Sequence, residues 1–221
     1  MKKKLSLIKL VYSYMYSVSN SKKEKLNFIN LIKDFPLFIY QNYKGKDPLN
    51  LELPWINISS LRFLSKIIDS EMRVLEYGSG GSTLFFSNRV KELISIEHDE
   101  NWNSLVEKEI VSRGSKNVRL FHLPITTNDT KENHKHDYVS FVKSFEDQSF
   151  DLILIDGRER VKCLESSIPK LKKGGIIVFD NADRRKYKKA LEDHLGHFKC
   201  LKFYGPSIAD INFSETHIYF S

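Results

Sequence analysis

Cysteine is nearly missing from this sequence: Cys163 and Cys200 are the only two. Two widely separated thiols make a poor disulfide framework, so they read as reduced groups packed in or near a core. No apolar run reaches the ~18 residues that a membrane-crossing helix needs. A Gly-x-Ser-x-Gly elbow, a phosphate-binding Gly-Lys-Ser/Thr and a Cys-x-x-Cys pair are all absent, which leaves hydrolase, NTPase and zinc-ribbon readings without support. A secretory signal is not matched either. Lys2, Lys3 and Lys4 precede a partly apolar stretch, but Lys9 interrupts it and no small-x-small cleavage site follows. The start of the chain therefore reads as an amphipathic helix, and the protein as cytoplasmic.

What is present is the composition of a soluble globular protein, 41% hydrophobic and 29% charged, in a chain of 221 residues that can build a sizeable core. The net charge of +7 invites a nucleic-acid or membrane partner, so its location matters. Residues 1–50 hold 10 lysines and 3 acidic residues, whereas residues 51–221 hold 25 cations and 25 anions. The excess thus belongs to a basic helical extension, residues 1–50, and a domain spanning 51–221 is neutral. That neutrality gives no sign of steering toward nucleic acid, and no nucleic-acid partner is expected. The basic run at 184–189 reads as a solvated helix face.

The extension carries a capping box at Ser21 and Glu24, an apolar helical period behind it, and Pro36 as an expected stop. Residues 41–54, with Gly45, Pro48 and Pro54, read as a linker or turn region. From Pro54 onward a helix at 56–68 is followed by short apolar runs at 73–77, 93–97, 118–123, 152–156 and 176–180. Helical stretches at 83–88, 101–112, 138–145, 162–171 and 184–194 separate or follow them. Strands alternating with helices imply a parallel sheet covered on both faces. Two further strands, 199–204 and 217–220, follow without an intervening helix and predict an antiparallel ending. The polar stretch 126–137 reads as a long surface loop. His134 and His136 within it have no cysteine partners and fit a lid over an acceptor better than a metal site.

Two motifs carry the chemistry. Residues 74–83, VLEYGSGGST, run from a buried strand through a glycine-rich turn into a helix. Glycines let the backbone approach a ligand closely, and the first such turn of a doubly wound sheet lies where ligands bind. The turn is not the dinucleotide fingerprint, because Thr83 stands where the third glycine belongs. Glu76, two residues before Gly78, suits a ligand with a cationic amino group better than a pyrophosphate. The second motif is LISIE at 93–97, whose Glu97 ends a strand 19 residues after Gly78. An acid there is placed to accept hydrogen bonds from both ribose hydroxyls.

With SIEHD at 95–99, FDLILIDG at 150–157 and LKKGGIIVFD at 171–180, the chain from Pro54 onward resembles the class I S-adenosylmethionine-dependent methyltransferases. The resemblance implies a Rossmann-like fold, α/β with a doubly wound, mostly parallel seven-stranded sheet. It implies that Glu76, Tyr77, Gly78, Ser79, Gly80, Gly81, Ser82 and Thr83 surround the methionine part of the cofactor. Glu97 would hold the ribose, His98 would lie against the adenine with Trp102 nearby, and Asp156 would face the methyl-transfer site. Asp156, Asp180 and Asn181 resemble the metal triad of catechol O-methyltransferase-like enzymes, which suits a hard cation such as Mg²⁺. Glu159 departs from that pattern, standing where those enzymes carry a catalytic lysine. Arg158 and Arg160 at the pocket rim would receive an anionic acceptor.

The expected activity is methyl transfer from S-adenosylmethionine to a hydroxyl of a small molecule or sugar, with Asp156, or else His98, as the base. Residues 1–50 would cover the acceptor side or form a homodimer contact. Three alternatives stand beside this: an RNA or protein methyltransferase recruited by the basic N-terminus, a nicotinamide-dependent oxidoreductase, and a binding module without catalysis.

Overall fold

The computed structural model describes residues 6–22, 26–125 and 137–221. Five apolar runs form parallel strands: β1 (Arg73–Tyr77), β2 (Glu92–Glu97), β3 (Val118–His122), β4 (Phe150–Ile155) and β5 (Leu171–Asp180). The two closing strands, β6 (Lys199–Pro206) and β7 (Phe213–Phe220), pair antiparallel with each other. β7 is also antiparallel to β5, so it is inserted between β5 and β6, and the sheet order is β3-β2-β1-β4-β5-β7-β6. The chain thus winds outward from β1 in one direction and then from β4 in the other. The reversal opens a crevice beyond the carboxyl ends of β1 and β4, which are neighbours in the sheet.

Alternation along the strands splits the core into two layers. On one side Val74, Leu93, Leu152, Leu154, Val178 and Ile218 pack with residues of the N-terminal helices. On the other, Leu75, Ile94, Ile153, Ile155 and Ile177 pack with residues of the later helices. The first layer holds α1 (Leu7–Asn20), α2 (Phe28–Lys44), α4 (Ile58–Ile67) and α5 (Gly81–Ser87). A single turn, α3 (Pro48–Leu51), precedes α4. α6 (Glu100–Ser112) follows β2, and α7 (Arg160–Ser167) and α8 (Arg185–Leu195) flank β5 in sequence.

Several local expectations meet a different outcome. Pro36 does not end a helix but lies inside α2. A proline ring costs one hydrogen bond and crowds the preceding turn, and here tertiary burial of Leu31, Asp34, Phe38 and Gln41 carries the helix through it. Ser21 is the C-cap of α1 rather than an N-cap, and α2 is capped instead by Asn27, whose side chain accepts from Asn30 N. The turn region expected at 41–54 contains the end of α2 and all of α3. The helix expected at 138–145 shrinks to a 3-10 turn, Phe141–Ser144. His134 and His136 lie outside the described residues.

The extension is tied to the sheet by buried polar contacts as well as by its core. Tyr14 Oη donates to Leu31 O at 2.6 Å, joining α1 to α2. Asp34, 1% exposed, accepts from Ser59 Oγ at 2.6 Å and pairs with Arg62 at 2.8 Å, joining α2 to α4. Gln41 Nε2 donates to Ser207 O, and Asn42 Nδ2 to Asp210 O, joining α2 to the β6–β7 connection.

Candidate active site

The glycine turn after β1 is built by close backbone approach. Gly78 has φ +93°, and a Cβ there would lie 2.8 Å from Gly157 Cα, so the turns after β1 and β4 touch backbone to backbone. Gly81 opens α5 beneath the carbonyls of Pro48 and Leu53, and a side chain at 81 would collide with both. The segment 48–53 therefore presses on the glycine turn itself.

Glu76 is fully buried in the strand before this turn. Its Oε2 accepts from Thr83 Oγ1 and Ser95 Oγ, each at 2.6 Å, while Oε1 is buried without a hydrogen-bond partner among the described residues. Burial pushes its pKa up to about 7 against the opposing pull of the Ser82, Ser95 and Thr83 hydroxyls. A buried acceptor oxygen left over beside a glycine turn is a place for a cationic donor.

At the end of β2, Glu97 is 3% exposed and held by four donors. Oε2 accepts from Ser79 N at 3.0 Å and Ser79 Oγ at 3.2 Å, and Oε1 from His98 N at 2.7 Å and Asp99 N at 2.9 Å. This fixes the carboxylate at the mouth of the crevice. His98 Nδ1 lies 2.7 Å from Glu97 Oε1, and the His98 ring meets Tyr138 edge-on at 5.6 Å. Trp102 caps the glycine turn from α6: its Nε1 donates to Ser79 O at 2.8 Å and its ring packs 3.6 Å from where a Gly80 Cβ would stand.

Asp156 and Asp180, expected as metal ligands with Asn181, meet a different cation. Arg160 is 8% exposed and turned inward. Its Nη2 donates to Asp156 Oδ1 at 2.9 Å and to Asp156 O at 2.7 Å, and its Nε to Gly157 O at 3.0 Å. Its Nη1 donates to Asp180 O and lies 3.6 Å from Asp180 Oδ2. Thr216 Oγ1, opposite Asp180 in the β5–β7 ladder, donates to Asp180 Oδ1 at 2.7 Å. A guanidinium thus bridges the two carboxylates where a divalent ion would have to sit, and these residues do not fit Mg²⁺. Among the described residues no group of three His, Cys, Asp or Glu could hold a metal. Burial, and next the charge of Asp180, raises the Asp156 pKa well above the usual carboxylate range, with Arg160 acting the other way. Burial raises that of Asp180 as well. Both arginines expected at the rim line the cavity, Arg160 buried and turned inward and Arg158 exposed. Glu159 sits in the left-handed region at φ 44° and pairs with Lys162 at 2.9 Å.

Glu97, the glycine turn, Asp156 and Asp180 share one open cavity of about 1280 Å³. Tyr138, fully buried, lies with its hydroxyl against Gly157, where it accepts from Arg158 N at 3.3 Å. Pocket residues that motif reading missed come from two places: Pro48, Leu49 and Trp55 form a wall from the N-terminal side, and Ser207, Asp210 and Asn212 to Ser214 form another. Only the Pro54-Trp55 pair, an aromatic next to a chain break in periodicity, could have drawn attention beforehand.

Residues 75–182, just under half of the chain, match the family model of a methyltransferase domain. No curated protein matches the chain. Among solved structures, a Streptococcus mutans protein described as a methyltransferase and solved in complex with SAH superposes with a TM-score of 0.53 at 15% identity, over 80% of this chain and 99% of that one. An rRNA methylase from Streptococcus thermophilus gives 0.52 at 18% identity, over 80% and 96%. A tRNA (m1A58) methyltransferase from Aquifex aeolicus gives 0.52 at 17% identity, over 79% and 76%. The seven-stranded sheet and the crevice beyond it thus define the class I methyltransferase fold. The family match spans the part of that fold from β1 to the end of β5. The residues present fit a ligand of the kind bound in the Streptococcus mutans structure: Glu76 Oε1, without a partner among the described residues, the glycine turn lining the cavity, and the fixed Glu97 carboxylate.

Proposed function

We propose that this enzyme methylates a hydroxyl of a small molecule or sugar, with Asp156 as the general base. The observation that carries the reading is the carboxylate pair at the ends of β4 and β5, a partly exposed Asp156 and a buried Asp180, both in the cavity wall and bridged by Arg160. The bound cofactor supplies the sulfonium methyl group. Glu76 and the glycine turn would orient its methionine end, and Glu97 its ribose. Asp156 would take the proton of the acceptor hydroxyl, leaving its oxygen as the nucleophile for the methyl group that the cofactor would supply. A carboxylate with raised proton affinity is a better match for that task than an ordinary one. Arg160 holds Asp156 in place and offsets part of the pair's charge, so no step calls for a divalent ion.

An RNA acceptor is the second reading. It draws on the basic extension and on the rRNA and tRNA acceptors named for two structural neighbours. The cavity lining favours the first, since nine acidic side chains line it against five basic ones, a poor welcome for phosphates. Incubating the enzyme with methyl-labelled S-adenosylmethionine and a fractionated cell extract separates the two. Label in the low-mass or saccharide fraction is expected, and label confined to RNA overturns the proposal. Asp156→Asn should lower the rate by about 10²–10⁴-fold with cofactor affinity kept within a few-fold by calorimetry. An Asp156→Asn enzyme that turns over at the wild-type rate removes Asp156 as the base.

A further inference from the structure

The outer face of the N-terminal helices takes no part in the core or in the cavity. On α1, Leu7, Ile8, Val11, Tyr12, Met15 and Tyr16 recur at helical spacing and are all exposed, Ile8 at 82%. On α2 the same is true of Phe28, Ile29, Ile32, Tyr40 and Tyr43, with Ile32 at 75%. Eleven of the seventeen large apolar side chains exposed among the described residues therefore lie on two helices, a concentration that single-site exposure does not explain. Each helix also has a second apolar stripe, Leu10 and Tyr14 on α1 and Leu31 and Phe38 on α2, which is buried in the core. The outer stripes are thus not misplaced core residues.

We propose that this face docks on an anionic lipid bilayer. Charge selects the occupant. Every exposed charged side chain described on the two helices is a lysine (Lys9, Lys33 and Lys44), because the remaining acid, Asp34, is buried against Arg62. Residues 1–50 carry the whole +7 of the protein. An apolar stripe flanked by lysines is the pattern of a helix lying in a headgroup layer, with the chain's basic residues drawn to anionic lipid. Tyr12, Tyr16, Tyr40 and Tyr43 add amphipathic rings suited to that depth. A second copy of the chain would set this positive surface against itself, which opposes a two-fold contact. The aliphatic members, Leu7, Ile8, Ile29 and Ile32, offer no face for stacking bases, which disfavours RNA.

Flotation of the full-length protein with vesicles tests this. Binding to equimolar phosphatidylcholine and phosphatidylglycerol is expected, with little binding to pure phosphatidylcholine and a decline as salt is raised. The double substitution Ile8→Glu with Ile32→Glu should weaken binding about tenfold or more, while S-adenosylhomocysteine still raises its unfolding temperature as in the wild type. Lys9→Glu with Lys33→Glu, which leaves the apolar stripes intact, should weaken binding to anionic vesicles too. Failure to float with either vesicle, or equal flotation with both, overturns the proposal. So does a wild-type dimer in sedimentation that Ile8→Glu with Ile32→Glu dissociates, since the stripe would then belong to a second copy. Methyl transfer is not the readout, so the proposed acceptor chemistry stands or falls separately.

Discussion

Glu76 shows how much chemistry one buried side chain can hold. Its pKa of about 7, raised by burial from 4.5, makes the folded chain the better proton binder between those values. Its contribution to stability therefore falls as pH rises through that window. A cationic ligand group brought to Oε1 favours the ionised form, so cofactor affinity should increase as pH rises through about 7. Calorimetric titration with S-adenosylhomocysteine across that range checks the slope. Glu76→Gln should flatten it and bind more weakly throughout. A wild-type affinity that is constant with pH would show that the ligand's charge does not reach Glu76.

Among the elements, α5 and α3 are locked together through one position. Pro48 and Leu53 carbonyls sit where a Gly81 side chain would go. Gly81→Ala should therefore destabilise the protein by about 1–3 kcal/mol, seen as a lower thermal midpoint, and weaken cofactor binding by displacing the turn. Elements with strong periodicity were legible from residues alone: the five parallel strands and the antiparallel ending follow from apolar runs and from a missing helix between the last two. Pro36 was misread because its local cost is outweighed by the burial of Leu31 and Phe38, which no local pattern reports. In the same way Glu76 and Glu97 could be picked out because a strand end announces an acid. The inward turn of Arg160 could not, because it depends on Asp180 arriving from a different strand. The wall supplied by Ser207, Asp210 and Asn212 to Ser214 is illegible in the sequence for the same reason.

Across the whole molecule, the extension is held by a small number of buried polar ties. Asp34 is the most exacting, as a nearly inaccessible carboxylate whose charge is met by Arg62 and Ser59. Removing Arg62 leaves that charge uncompensated. Because Arg62 is itself about a third exposed, Arg62→Ala should cost less than the ~3–5 kcal/mol typical of a broken buried pair, yet more than a surface substitution. Chemical denaturation of the variant measures it, and a loss within ~0.5 kcal/mol would mean that water or Ser59 suffices to hold Asp34.

The carbonyls of Pro48 and Leu53 resting on Gly81 have a consequence that reaches beyond packing. Two surfaces of the molecule, one facing outward on α1 and α2 and one facing the crevice, meet through this contact as well as through the ties of Gln41 and Asn42 to the β6–β7 connection. A ligand that tightened the turn through this contact would also tighten the segment leading back to α2, and such coupling would run both ways. Occupancy of the crevice and attachment of the helices would then report on one another, so that the enzyme's grip on its methyl donor becomes a gauge of where in the cell it is standing.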